Sequence, residues 1–220
     1  MAQIFRPSFN TIARVSIFGA AFGALGAVGL AYALMKSQHQ TRVSFVIEQP
    51  VAFSHAHHSG ELGIDCRYCH TSVEWNKYAT VPPTHTCMSC HSQIWDDSPM
   101  LKPVRDSLAN NQPLEWQKIH DLPAFVYFNH GIHVQKGVGC VSCHGRVDQM
   151  KLTYKAEPMT MEWCLNCHRN PEKYLRPVEE VFNAEYALST EDQLKKGLEL
   201  KTKYNIHSAY YLTNCTVCHR

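Results

Sequence analysis

The 220-residue chain is 45% hydrophobic, has a formal charge of +2 and contains ten cysteines and 14 histidines. It has no glycine-rich phosphate loop, no nucleophile elbow and no carboxylate pair arranged for catalysis, which excludes the common nucleotide-using and hydrolytic enzymes. All ten cysteines fall in five Cys-x-x-Cys-His motifs, so none is left over for a disulfide framework.

The first element in chain order is apolar. Residues 15–35, VSIFGAAFGALGAVGLAYALM, carry no charge. At 1.5 Å per residue they reach about 31 Å, enough to cross a bilayer. Ala31-Tyr32-Ala33 resembles a signal-peptide cleavage site, but the run is longer than the roughly 7–15 residues of a signal core. The sequence therefore predicts an uncleaved anchor over residues 14–36. Residues 1–13 precede it, 37–49 form a linker, and 50–220 form one extramembrane domain. Gly19 and Gly23 make a G-x-x-x-G within a surface rich in small residues, the pattern that lets membrane helices approach closely.

The five motifs come next: Cys66-Arg-Tyr-Cys69-His70, Cys87-Met-Ser-Cys90-His91, Cys140-Val-Ser-Cys143-His144, Cys164-Leu-Asn-Cys167-His168 and Cys215-Thr-Val-Cys218-His219. At this composition a single such motif arises by chance about 0.03 times. Two thiols at this spacing can add across the two vinyl groups of one porphyrin, and the following histidine then lands beneath the iron as proximal ligand. Zinc and thioredoxin-like sites also use Cys-x-x-Cys, yet neither requires histidine at the same next position five times. The motifs thus predict five covalent haem c groups. Ten propionates would bring the net charge to roughly −8, which argues against a nucleic-acid partner. About 34 residues remain to enclose each haem, too few for an ordinary polypeptide core. The expected fold is therefore a mostly irregular and α-helical, haem-cored multihaem cytochrome c of class III type, with one N-terminal transmembrane helix. Haem attachment outside the cytoplasmic membrane puts residues 1–13 in the cytoplasm and the haem domain in the periplasm.

The haem domain is internally duplicated. Phe53-x-His55-x-x-His58 precedes the first motif and Phe128-x-His130-x-x-His133 precedes the third, with the phenylalanines 75 residues apart. A further motif follows each unit. The repeats span about residues 50–110 and 125–185, and the fifth haem is appended over 186–220. Two histidines three apart lie on one side of a helix and diverge slightly, so one can serve its own haem and the other a neighbour's. On that reading His55 is the distal ligand of the haem on Cys66 and Cys69, and His130 of the haem on Cys140 and Cys143. His58 and His133 then cross-link to neighbouring haems. His120 is a further distal candidate, and His85 is plausible. His39, His57 and His207 read as surface residues. Near the fourth motif, in EPMTMEWCLNCH, Met161 is the expected distal ligand, with Met159 and Met150 as alternates. The fifth motif, NCTVCHR, is expected to be clamped by its own thioethers and to sit at an edge of the haem array. Between motifs the chain reads as proline-punctuated loop. The exception is an amphipathic helix over 189–204, with a Thr190-x-x-Gln193 capping box.

Together the anchor, VAFSHAHHSGELGIDCRYCH, TCMSCHSQIW, HDLPAFVYFNHGIHVQKGVGCVSCHGRVDQM, WCLNCHRNP and NCTVCHR resemble the pentahaem cytochrome c subunit of bacterial alternative complex III. The resemblance runs nearly the whole length. It implies a haem wire in a quinol-oxidising respiratory complex, an electron carrier that is no enzyme by itself. The implied partners are an iron–sulfur subunit similar to molybdopterin oxidoreductases, polytopic quinol-binding subunits and a monohaem cytochrome c. A soluble cytochrome c or a terminal oxidase would be the acceptor. The alternative is a membrane-anchored quinol dehydrogenase that donates to a periplasmic reductase. That class often places methionine shortly after its first motif, where this chain has Thr71-Ser72-Val73. A multihaem reductase would leave one iron open, sometimes with lysine in place of a motif histidine; all five motifs here end in histidine.

Overall fold

The computed structural model describes residues 4–219; residues 1–3, at the start of the 1–13 segment, and Arg220 lie outside the described residues. The chain divides into two units, up to Arg42 and from Val43 onward. In the first unit, α1 (Ser8–Lys36) is a 29-residue helix, exposed along its whole length. It is long and apolar enough to cross a membrane, and no other helix among the described residues is. The helix starts six residues before the expected boundary at residue 14, because nothing between Ser8 and Ala13 breaks it. A Cβ added at Gly19, Gly23, Gly26 or Gly29 would meet no atom of this chain within 4 Å, so internal packing does not require these glycines. A short helix, α2 (Gln38–Thr41), closes the unit on Arg42, whose φ of 57° is left-handed.

The second unit begins inside the segment read as linker. Val43 and Val46 form isolated bridges with Lys155 and Tyr154. Among the described residues there is no extended sheet, only isolated bridges joining distant loops. The fold is helical and irregular, as the composition requires.

Every Cys-x-x-Cys pair sits on a single helical turn. The turns are α3 (Cys66–Cys69), α4 (Thr84–His91), α7 (Val141–His144, with Cys140 as its N-cap), α8 (Met161–Arg169) and α11 (Cys215–Cys218). Helices of one turn are marginal alone, and here side-chain caps hold three of the five. Asp65 accepts from the Arg67 N–H at 2.8 Å, Thr160 from Trp163 at 3.4 Å and Asn214 from Thr216 at 3.0 Å. Between the motif turns lie α5 (Lys102–Ala109), α6 (His130–Gln135), α9 (Thr190–Lys203) and α10 (Ala209–Leu212). The cap of α9 is Ser189 rather than Thr190: its hydroxyl accepts from the Asp192 N–H at 3.1 Å and donates to the Asp192 carboxylate at 2.7 Å. The box is therefore Ser-x-x-Asp, one residue earlier than the sequence pattern suggested.

Apolar burial is confined to small clusters. Val51, Leu101 and Val104 pack with Cys87 and Met88, and Val73, Val134 and Val181 pack with Cys140. Each cluster holds a haem-motif cysteine. The second joins the two repeats, because Val73 follows the first motif while Val134 lies on α6. Gly131 makes that junction possible. Its N–H donates to the Asn76 carbonyl at 2.9 Å, and a Cβ at this position would approach the Trp75 backbone to 2.8 Å. Backbone cannot give way as a side-chain tip can. We expect Gly131→Ala to destabilise the folded protein by about 1–3 kcal/mol, as overpacking generally does. A lowered midpoint in thermal unfolding of the haem-loaded chain would register this, and an unchanged midpoint would contradict the junction.

Candidate haem-binding network

Seven histidines of this unit are oriented in one way. The Nδ1 of His70 bonds the Thr80 carbonyl at 2.8 Å, that of His91 the Ile94 carbonyl at 3.0 Å, that of His168 the Leu212 carbonyl at 3.0 Å and that of His219 the Phe125 carbonyl at 3.2 Å. The repeat histidines follow suit: His58 bonds the Ser54 carbonyl at 2.8 Å, His133 that of Asn129 at 2.7 Å and His130 that of Lys77 at 2.9 Å. His55 pairs instead with the Thr153 hydroxyl at 2.9 Å. A carbonyl can only accept, so Nδ1 carries the proton in seven of these rings and Nε2 keeps a bare lone pair. That is how proteins orient a metal-binding imidazole.

The rings face one another in pairs. Two imidazoles sharing one metal through Nε2, at about 2 Å each, place their ring centres about 6 Å apart. His58 lies 6.1 Å from His91, His133 lies 6.2 Å from His168, and His130 lies 6.4 Å from His144 with ring planes only 13° apart. The two Phe-x-His-x-x-His copies are arranged alike. In each copy the second histidine of Phe-x-His-x-x-His faces the proximal histidine of the motif after next. The phenylalanine fixes that ring by stacking on it, Phe53 on His58 at 4.4 Å and Phe128 on His133 at 4.6 Å. The same phenylalanines meet His55 and His130 edge-on, at 4.9 and 4.7 Å.

His55, His70, His120, His130 and His144 cluster between the two repeats. Burial holds the pKa of His55 and His120 at about 4 and that of His144 at about 3, and the crowding of imidazoles, with Lys155 beside His120, opposes protonation further. His55, His120 and His144 are therefore neutral at physiological pH, the form that binds iron. The His120 ring centre is 4.3 Å from that of His144, and its buried Nε2 has no hydrogen-bond partner among the described residues. An unpartnered buried nitrogen is costly unless something else satisfies it, and a metal or a porphyrin-bound group would do so.

Met161 opens α8 and is exposed, seven residues before His168 on the same helix. The ring opposite His168 is that of His133. Met150 is buried, and Met159 has a left-handed φ of 50°. Of the histidines read as surface residues, His57 pairs with Glu61 at 2.8 Å and His207 packs on Tyr211 at 4.2 Å; His85 is exposed. The last motif is held by more than its cysteines. Val126 and His219 form an antiparallel bridge, and the Tyr127 N–H donates to the Cys218 carbonyl at 2.8 Å. Nothing in the sequence marked residues 125–127 for this, because the bonds are made by main-chain atoms.

All ten thiols are free of disulfides, and each pair projects from one turn. The cytochrome c3 family matches residues 132–220, which hold the last three motifs. This chain carries a cytochrome c3-like multihaem domain. Its cofactor is covalently bound haem c, and the paired thiols and bare Nε2 atoms fit that group. The multihaem cytochrome c subunit of the menaquinone reductase of Nitratidesulfovibrio vulgaris is 29% identical over 144 residues, covering 56% of this chain and 69% of the relative. The chain is an electron-transfer protein related to a subunit of a quinone reductase.

The ring pairs generate a test. His58→Ala and His133→Ala should each leave all haem covalently attached and convert one low-spin haem to high-spin in the electron paramagnetic resonance spectrum. Unchanged spectra in both variants would exclude the two histidines as ligands.

Proposed function

We propose that this chain is the haem wire of a membrane-bound, quinone-linked respiratory complex, with five covalent haems on the five motifs. The proximal ligands are His70, His91, His144, His168 and His219. For the distal ligands, His58 pairs with His91 and His133 with His168. His130 pairs with His144, which leaves His55 for His70 and His120 as the spare ligand of the central cluster. Met161 is the weaker choice for the fourth haem. It stands two turns from His168 on one helix and so belongs to the proximal side of that porphyrin. The ring separations near 6 Å carry this reading. The four irons with paired histidines are six-coordinate, exchange electrons with little rearrangement and have no open position for substrate, which favours conduction over catalysis.

In the complex, α1 spans the membrane with its N-terminus inside, and residues 50–220 lie in the periplasm, where haem c is attached. Electrons run from quinol through the iron–sulfur clusters of a molybdopterin-oxidoreductase-like subunit, through these haems, to a monohaem cytochrome c, a soluble cytochrome c or a terminal oxidase. The resemblance to alternative complex III supports that direction. The N. vulgaris relative is named a menaquinone reductase, which favours a second reading in which the same wire delivers electrons to quinone. The purified complex distinguishes them. Mass spectrometry should find five haem adducts on this chain, and a reduced menaquinol analogue should reduce the haems within milliseconds to seconds. Fewer than five adducts would exclude the wire as drawn. Reduction by a soluble electron donor but not by quinol would reverse the direction.

A further inference from the structure

The contacts between motifs fall into a sequence that differs from their order along the chain. The first and second motifs touch directly: Tyr68, inside the Cys66–Cys69 turn, shares a hydrogen bond of 3.1 Å with Ser89, inside the Cys87–Cys90 turn. On the same turn of backbone as His55, which feels the charge of His70, His58 faces His91.

The first and third motifs meet at the junction of the repeats. Val73, three residues past His70, packs with Val134 and Cys140. His130 bonds the Lys77 carbonyl beyond the first motif, and His55 bonds Thr153 beyond the third, each repeat reaching into the other. The Cys66 and Cys140 thiols are close enough for one to raise the other's pKa.

The third and fourth motifs are spanned by α6, which turns His130 towards His144 and His133 towards His168. The fourth and fifth are joined where His168 bonds the Leu212 carbonyl, on the turn that leads into Cys215. Among the described residues, two motifs have a neighbour on one side only. Beyond the second lies polypeptide, the cluster of Val51, Leu101 and Val104. Beyond the fifth lies the 125–127 segment, where Phe125 is 62% exposed.

We infer that the five haems form one unbranched file in the order second, first, third, fourth, fifth, so that the haems on Cys87/Cys90 and Cys215/Cys218 are its two ends. The inference rests on the five-haem reading above. The two repeats are joined back to back through their first haems, and the appended fifth haem lengthens only one arm. An electron crossing the file makes four hops, each oxidising one ferrous haem and reducing the next ferric one. The centre of the path is the step between the first and third haems. Partner redox proteins must therefore meet this chain at the second and fifth haems, which lie at opposite ends of the array although neither is the first motif in the sequence.

Electron cryo-microscopy of the intact complex, with the irons located by their density, tests the order directly. We expect the second iron to have the first as its nearest neighbour, the fifth to have the fourth, and the first and third to be adjacent in the middle. The longest iron–iron separation should be that between the second and fifth. A second iron lying between two others, or a fifth iron nearest to any but the fourth, would overturn the order and leave the wire intact. Fewer than five irons would overturn both.

Discussion

One hydrogen bond, repeated, organises the haem domain: an imidazole Nδ1–H donating to a main-chain carbonyl. Each such bond fixes a ring's tautomer and direction together, leaving Nε2 bare and pointing inward. The carbonyls lie far away in sequence for His130 and His168, 53 and 44 residues from their partners. Loop conformation and ring geometry are thus one problem, and a loop displaced by an ångström turns a ring out of its pair. This explains how a domain with almost no regular secondary structure between motifs can still hold many rings in register.

A second constraint follows from the scarcity of apolar polypeptide. The buried clusters contain three aliphatic residues each, and each packs against a haem-motif cysteine. Clusters of that size cannot offset the chain entropy of a domain this long. Covalent haem supplies the missing apolar surface, and in the five-haem arrangement proposed above it ties each motif turn to a rigid plane. Folding and cofactor attachment are then a single event, as in small metal-dependent domains.

The placement of the paired thiols and of the histidine pairs was legible in the sequence because it is written in local spacing. Cys-x-x-Cys-His placed the thiols on one turn, and Phe-x-His-x-x-His announced both the duplication and the divergence of its histidines. Helix α9 was legible as well, displaced by one residue at its cap because Ser189 competes with Thr190 for the same role. What spacing cannot report is which ring lies across from which. Met161 attracts attention through sequence proximity to the fourth motif, whereas the ring facing His168 comes from His133, 35 residues earlier. The carbonyl acceptors were equally invisible, since every residue has one.

The bridge between Val126 and His219 closes a loop of more than 90 residues with a handful of main-chain contacts. Closing such a loop costs about 4 kcal/mol of chain entropy, more than a pair of exposed hydrogen bonds returns. The contact is therefore stable only when the segment it encloses is already compact, with the third and fourth motifs in place. It works as a latch set last: the final motif docks on the start of the second repeat once everything between them has been assembled, and it comes free first when that assembly loosens.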